Sequence, residues 1–132
     1  MKRILLMSAL VALLPAGVAA APIEGQWRDP KNRVIVRVAS CGAGAWCGTV
    51  VHASAKVKAN ARKGGSANII GSRLLTGLKP AGGGAYRGRV HLPKHRITVN
   101  ATVRSAGSNT MIVKGCAVAG VLCKEQPWTR VS

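Results

Sequence analysis

Phenylalanine is absent from the 132 residues, tyrosine occurs once and tryptophan three times, so the large aromatic side chains that dominate most small cores are scarce. A domain so poor in aromatic volume must pack on aliphatic side chains and needs covalent help. Carboxylates are equally few: Glu24, Asp29 and Glu125 are the only ones, and none is spaced from another as a recognisable pair. Hydrolysis by paired carboxylates therefore has no support. His52, His91 and His95 form no metal-ligand motif, and the helical spacing of His91 and His95 falls where the sequence reads as a turn. Gly82-Gly83-Gly84 lacks the Lys-Ser/Thr pair and the following helix of a phosphate loop, and reads as a hairpin turn. No acid, base or nucleophile is arranged as an enzyme would need it. The expectation is a non-enzymatic protein with no catalytic residue, no metal and no cofactor.

Long apolar runs are missing too, except at the start. Lys2 and Arg3 precede an almost unbroken apolar run from Ile4 to Leu14, then Pro15, the small residues Gly17-Val18-Ala19-Ala20-Ala21, and Pro22. The run is shorter than the roughly 20 residues of a spanning helix, and the order is that of a secretory signal peptide over residues 1–21. No cysteine sits at the cleavage region, which argues against a lipid anchor. The remaining 111 residues, 22–132, suit one domain with one modest core. A periplasmic or secreted location follows, with a protein that does not span the membrane and is expected to be a monomer.

Positive charge dominates that domain. Loss of Lys2 and Arg3 lowers the formal net charge from +17 to +15. The cations are spread along the chain, and only Lys56, Lys58, Arg62 and Lys63 crowd together. Such a field attracts polyanions and weakens with salt. Outside the cytoplasm the available polyanions are lipopolysaccharide, anionic lipid headgroups and wall polymers. Export and the scarcity of stacking aromatics argue against nucleic acid.

The period of the apolar residues is two. Val34, Val36 and Val38 share one face, and Ile97, Val99, Ala101 and Val103 alternate with polar residues from Arg96 to Arg104. Further candidate strands are Gln26-Trp27-Arg28, Cys47 to Ala53, Arg73 to Leu78, Tyr86 to His91, Met111 to Lys114 and Pro127 to Val131. Turns at Asp29-Pro30, Gly82-Gly83-Gly84, Leu92-Pro93 and Ala106-Gly107-Ser108-Asn109 separate them. The prediction is an all-β domain of about eight short strands. Ser54 to Gly71 stands apart as a long basic stretch of weak apolar periodicity, with Lys63-Gly64-Gly65-Ser66 read as a flexible loop.

The four cysteines fall into two local pairs, Cys41 with Cys47 and Cys116 with Cys123. Disulfides are the expectation for an even count in an exported domain, with Cys41 and Cys47 at facing positions of a hairpin mouth. Each short loop would stabilise by roughly 2 kcal/mol on the chain-entropy model. The C-x-x-C spacing of a redox site is absent, and zinc ribbons use tighter spacings. A four-thiolate metal site and crossed pairing remain the alternatives.

Several short motifs recur in a recognisable order. They are Gly25-x-Trp27, Val36-Arg37-Val38-x-x-Cys41-Gly42, Cys47-Gly48-Thr49-Val50 and Leu74-Leu75-x-Gly77-Leu78. Then come Gly82-Gly83-Gly84-x-Tyr86-x-Gly88, Val113-x-Gly115-Cys116 and Cys123-x-x-Gln126-x-Trp128-Thr129-Arg130-Val131. This order resembles a family of small exported bacterial proteins, domain of unknown function twenty-one forty-seven. The resemblance covers nearly all of residues 22–132. Members carry acidic and asparagine residues where this chain has Lys56, Lys58 and Arg62, and a Pro-x-Asp-Gly-type turn where it has Pro93-Lys94-His95-Arg96.

The two ends are also similar to those of lipocalin-like barrels, in which a Gly-x-Trp on the first strand is covered by a basic residue from the last. That likeness implies a small antiparallel up-and-down barrel stapled by disulfides, with Gly25, Trp27, Trp128 and Arg130 as structural positions and Arg130 over the Trp27 indole. It also implies a small apolar or amphiphilic ligand inside, against residues such as Val36, Val99 and Met111. The competing expectation is an envelope-associated protein whose Lys56, Lys58, Arg62 and Lys63 meet polyanions. Sequencing the amino terminus of the exported protein is expected to find cleavage after Ala20 or Ala21; an intact Met1 would remove the export reading.

Overall fold

The computed structural model describes residues 22–92, 96–117 and 122–132; the expected signal peptide and Pro93-Lys94-His95 lie outside the described residues. Eight strands form, namely β1 (Gly25–Arg28), β2 (Val34–Gly42), β3 (Ala45–Ala53), β4 (Arg73–Gly82), β5 (Ala85–Leu92), β6 (Ile97–Ser105), β7 (Thr110–Ala117) and β8 (Leu122–Arg130). One helix, α1 (Ala55–Lys63), lies between β3 and β4. Each strand pairs antiparallel with the next, and β1 returns to β8, so the sheet closes into a barrel with no free edge.

The alternation in the sequence becomes the inside and outside of this barrel. On β2, Val34, Val36 and Val38 point inward and are buried. Along β6 burial is graded: Val103 and Ala101 are buried, Val99 is half-buried, and Ile97 is 43% exposed. The inward face therefore emerges towards one end. At the other end the core is solid, with Trp27, Val36, Leu78, Val103 and Met111 all inaccessible to solvent.

Both local disulfides form. Cys116 and Cys123 face each other across β7 and β8, with Cα atoms 4.1 Å apart. Cys41 departs from the expected facing position. Cys47 is opposite Ala39, while Cys41 sits in the register break between Ser40 and Gly42 and reaches it diagonally, Cα to Cα 5.7 Å. The bulge supplies the extra residue that brings the two sulfurs together.

The stretch from Ser54 to Gly71 requires a correction. Ala55 to Lys63 is helical, which takes Lys63 out of the expected Lys63-Gly64-Gly65-Ser66 loop. Ser54 caps the helix by accepting a hydrogen bond from the Val57 N–H, and the helix closes with the Gly64 N–H on the Asn60 carbonyl and the Gly65 N–H on the Arg62 carbonyl. Its inner face is only Val57 and Ala61, one i,i+4 pair, too little apolar periodicity to be legible in the sequence.

The barrel closes through a short seam. β1 and β8 pair only at Trp27 with Arg130 and Arg28 with Thr129. Backbone bonds from Gln26 N–H to the Ser132 carbonyl and from Val131 N–H to the Gln26 carbonyl extend it. Across it the Arg130 guanidinium lies 4.3 Å from the Trp27 ring centroid. Its nitrogens donate to the Ser108, Glu24 and Pro22 carbonyls, each at 2.7 Å. Trp27 Nε1 in turn donates to the Ile23 carbonyl at 2.8 Å. Gly25 has φ +130°, and a Cβ there would fall 2.5 Å from Arg130 Nη1, so the fork fits only over glycine.

Replacing Arg130 by alanine is expected to lower stability by about 2 kcal/mol, through the lost cation–π contact and three unmatched carbonyls. Arg130→Lys should recover only part, since an ammonium lacks the planar fork. Urea unfolding midpoints at unchanged slope would measure both.

Candidate functional site

The graded inward face leaves space at one end of the barrel. That end carries the β1–β2 turn, α1, the last residues of β5 and the first of β6, and the neighbourhood of the Cys116–Cys123 bridge. A cavity of about 470 Å³ lies there, within the range of small-ligand sites. Val34, Val57, Ile69, Leu74, Val90, Val99 and Val113 give it mostly aliphatic walls. Gly115 contributes by having no side chain, since a Cβ would meet Val90 at 3.3 Å and Val99 at 3.6 Å. Of the three residues expected as lining, Val99 is in the wall, whereas Val36 and Met111 belong to the solid floor. The barrel is packed at one end and hollow at the other.

Polar groups enter the wall at few places. β8 presents Lys124, Gln126 and Trp128 to the cavity at alternate positions, so its inner face runs polar from the rim down to the indole. The Trp128 side chain is buried, and its Nε1 has no hydrogen-bond acceptor among the described residues. Across the cavity stand Asn60 of α1 and His91 of β5, whose Nδ1 is 3.1 Å from Thr98 Oγ1.

Asp29 sits at the β1–β2 turn, also in the wall, and is buried. Burial alone would raise its pKa. Hydrogen bonds from the Val34 N–H at 2.9 Å, the Arg33 Nε at 3.0 Å and the Arg33 N–H outweigh that and hold the carboxyl below its usual value. The Lys31 N–H adds a longer contact at 3.4 Å. Asp29 is thus fully engaged in fixing the turn that forms the rim, and its charge is matched by Arg33. Among the described residues, no group of three histidine, cysteine or acidic side chains is placed to hold a metal ion.

The other residues singled out from the sequence fall in three places. Gly25, Trp27 and Arg130 lock the closed end, while Trp128 of the same terminal motif belongs to the cavity. Cys41–Cys47 ties the closed end and Cys116–Cys123 the rim. Lys56, Lys58, Arg62 and Lys63 are all exposed on α1, whose Val57, Asn60 and Ala61 line the cavity. His52 is exposed on β3, and His95 lies outside the described residues. Lys124 and Asn60 went unnoticed in the sequence, and Gln126 stood there only as a motif position. The available signal was that Lys124 and Gln126 share the inward phase of Trp128, against the apolar-in pattern of the other strands.

The family model described as "Uncharacterized protein conserved in bacteria (DUF2147)" matches residues 25–130. Among solved structures, protein HP1028 from the human pathogen Helicobacter pylori, which belongs to the lipocalin family, superposes with a TM-score of 0.62. The match has 12% identity and covers 83% of this chain and 82% of that one, a likeness of fold. No curated protein gives a significant match.

The depressed pKa of Asp29 sets an acid limit. Its stabilising bonds are fully present above the unfolded carboxylate value, about 3.9, and are lost as pH falls through the lower folded value. Asp29→Asn is expected to lose about 2 kcal/mol at pH 7, because an amide cannot accept from all these donors. It should also flatten the loss of stability below about pH 4 seen in urea titrations of the parent protein.

Proposed function

Because the chain belongs to the bacterial family described as uncharacterized protein conserved in bacteria (DUF2147), and has a lipocalin-like barrel, we propose that it is an exported, non-enzymatic protein that binds a small apolar or amphiphilic ligand in the barrel. The observation that carries this reading is the cavity of about 470 Å³, walled by aliphatic side chains and opening at the α1 end. The two disulfides suit an oxidising compartment, and no helix among the described residues is long and apolar enough to cross a membrane. Binding without chemistry accords with the lining, whose one carboxylate is committed to the rim turn.

A second reading has one observation in its favour. Lys56 and Lys58 occupy the first turn of α1, where no acidic residue stands and where positive charge opposes the helix dipole. Helix stability therefore does not account for them. Their exposure on the outer side of α1 would suit a role in meeting envelope polyanions such as lipopolysaccharide, anionic lipid or wall polymer.

Titration with the neutral fluorescent probe N-phenyl-1-naphthylamine separates the two. Cavity binding is expected to change less than about twofold between low and high salt, and to fall about tenfold or more in Val99→Phe, which fills the space. No binding, or binding unaffected by Val99→Phe, would overturn the cavity reading. The surface reading instead requires salt-sensitive binding to phosphatidylglycerol vesicles that is lost when Lys56, Lys58, Arg62 and Lys63 become glutamate.

A further inference from the structure

We infer that the cavity selects an apolar carboxylate, whose acceptor oxygens take the hydrogen bond of Trp128 Nε1 and the charge of Lys124; this rests on the cavity reading above. The first observation is the indole itself. Trp128 lines the cavity, is 8% exposed, and its Nε1 finds no acceptor among the described residues. A buried N–H without a partner is costly, and nearly all such groups in native proteins are matched by something. Nε1 itself is closed to solvent in this conformation, so a partner from the cavity, water in the empty barrel and ligand in the loaded one, reaches it with a turn of the indole into the adjoining space.

The second observation is the balance of donors and acceptors in the wall. Asp29 is the only carboxylate among the lining residues and accepts from the Arg33 and Val34 N–H groups and the Arg33 Nε. Arg33 cancels its charge. Trp128 can only donate, and Lys124 can only donate and has no ion-pair partner among the described residues. Gln126, between them on the same inward face, can donate as well. His91 is already within bonding distance of Thr98. The amides of Asn60 on α1 and Gln126 on β8 can each donate and accept, so the balance is set by the donor-only groups Trp128 and Lys124, both on β8, and the charge they leave is positive. A carboxylate accepts only and is negative, so it complements that strip, while the aliphatic walls take its apolar body.

Matched probes of one shape test this: 2-naphthoate, 2-acetonaphthone and 2-ethylnaphthalene, carrying an anionic acceptor, a neutral acceptor and none. Naphthoate is expected to bind roughly tenfold or more tightly than ethylnaphthalene, as a charge-assisted hydrogen bond allows, with acetonaphthone between. The indole N–H resonance of Trp128 in the parent protein should move downfield with the two acceptor probes and far less with the hydrocarbon. Trp128→Phe should abolish the preference of acetonaphthone over ethylnaphthalene, read as the ratio of the two affinities within the variant. Lys124→Gln should weaken naphthoate alone. If the hydrocarbon binds as tightly as naphthoate and the Trp128 resonance is indifferent to the acceptor, the inference fails and the cavity reading stands. If none of the three probes binds, both fail. The resonance measurement needs no variant, so a misfolded Trp128→Phe would not leave the question open.

Discussion

The contact of Arg130 with Trp27 is the constraint on which the rest of the barrel depends. β1 is four residues long and meets β8 through only two residue pairs, so the ladder at the seam is weak. One guanidinium compensates by touching three separate segments: the β6–β7 turn at Ser108, the chain before β1 at Pro22 and Glu24, and the indole on β1. Closing the seam removes the last free strand edges and aligns the inward face of β8 with the cavity. Lys124, Gln126 and Trp128 reach the interior because Arg130, in the same phase, is fixed at its floor.

The scarcity of large aromatics accounts for the division of the barrel into two halves. Trp27, Met111 and a set of valines and leucines fill the closed end completely. Towards the rim the inward positions of β5, β6 and β7 are Val90, Val99, Val113 and Gly115, with no aromatic or methionine among them to fill the space as Trp27 and Met111 do at the closed end. Short side chains on three neighbouring strands leave a void that is hydrophobic in its walls. The helix lies across this end, with two small apolar residues inside and four cations outside. Pocket and basic surface are thus two faces of the same nine residues.

Much of the barrel was legible in the sequence because a period of two survives wherever one strand face is buried. The valines of β2 and the alternation of β6 placed the strands, and the local spacing of the cysteines placed both bridges. Gly25-x-Trp27 and Trp128-Thr129-Arg130 marked the two ends that meet. The helix was not legible: nine residues with one inner apolar pair carry almost no periodic signal, and the capping Ser54 and Gly64 resemble ordinary loop residues. The diagonal approach of Cys41 depends on a bulge, and a single extra residue in one strand leaves no trace in composition.

Residue types at short or repeated spacing were enough for the all-β class, the two local cysteine pairs and the basic character, while the meeting of Trp27 with Arg130 was implied by the likeness of the two ends to lipocalin-like barrels. Only the tertiary structure decided which inward residues form a solid floor and which a wall. Val36 and Val99 have the same alternation and the same side chain, yet one is core and the other cavity. Their difference comes from what surrounds each of them inside the barrel, and that is a sum over eight strands. The unmatched indole of Trp128 is of the same kind: whether an N–H has an acceptor is a property of its surroundings.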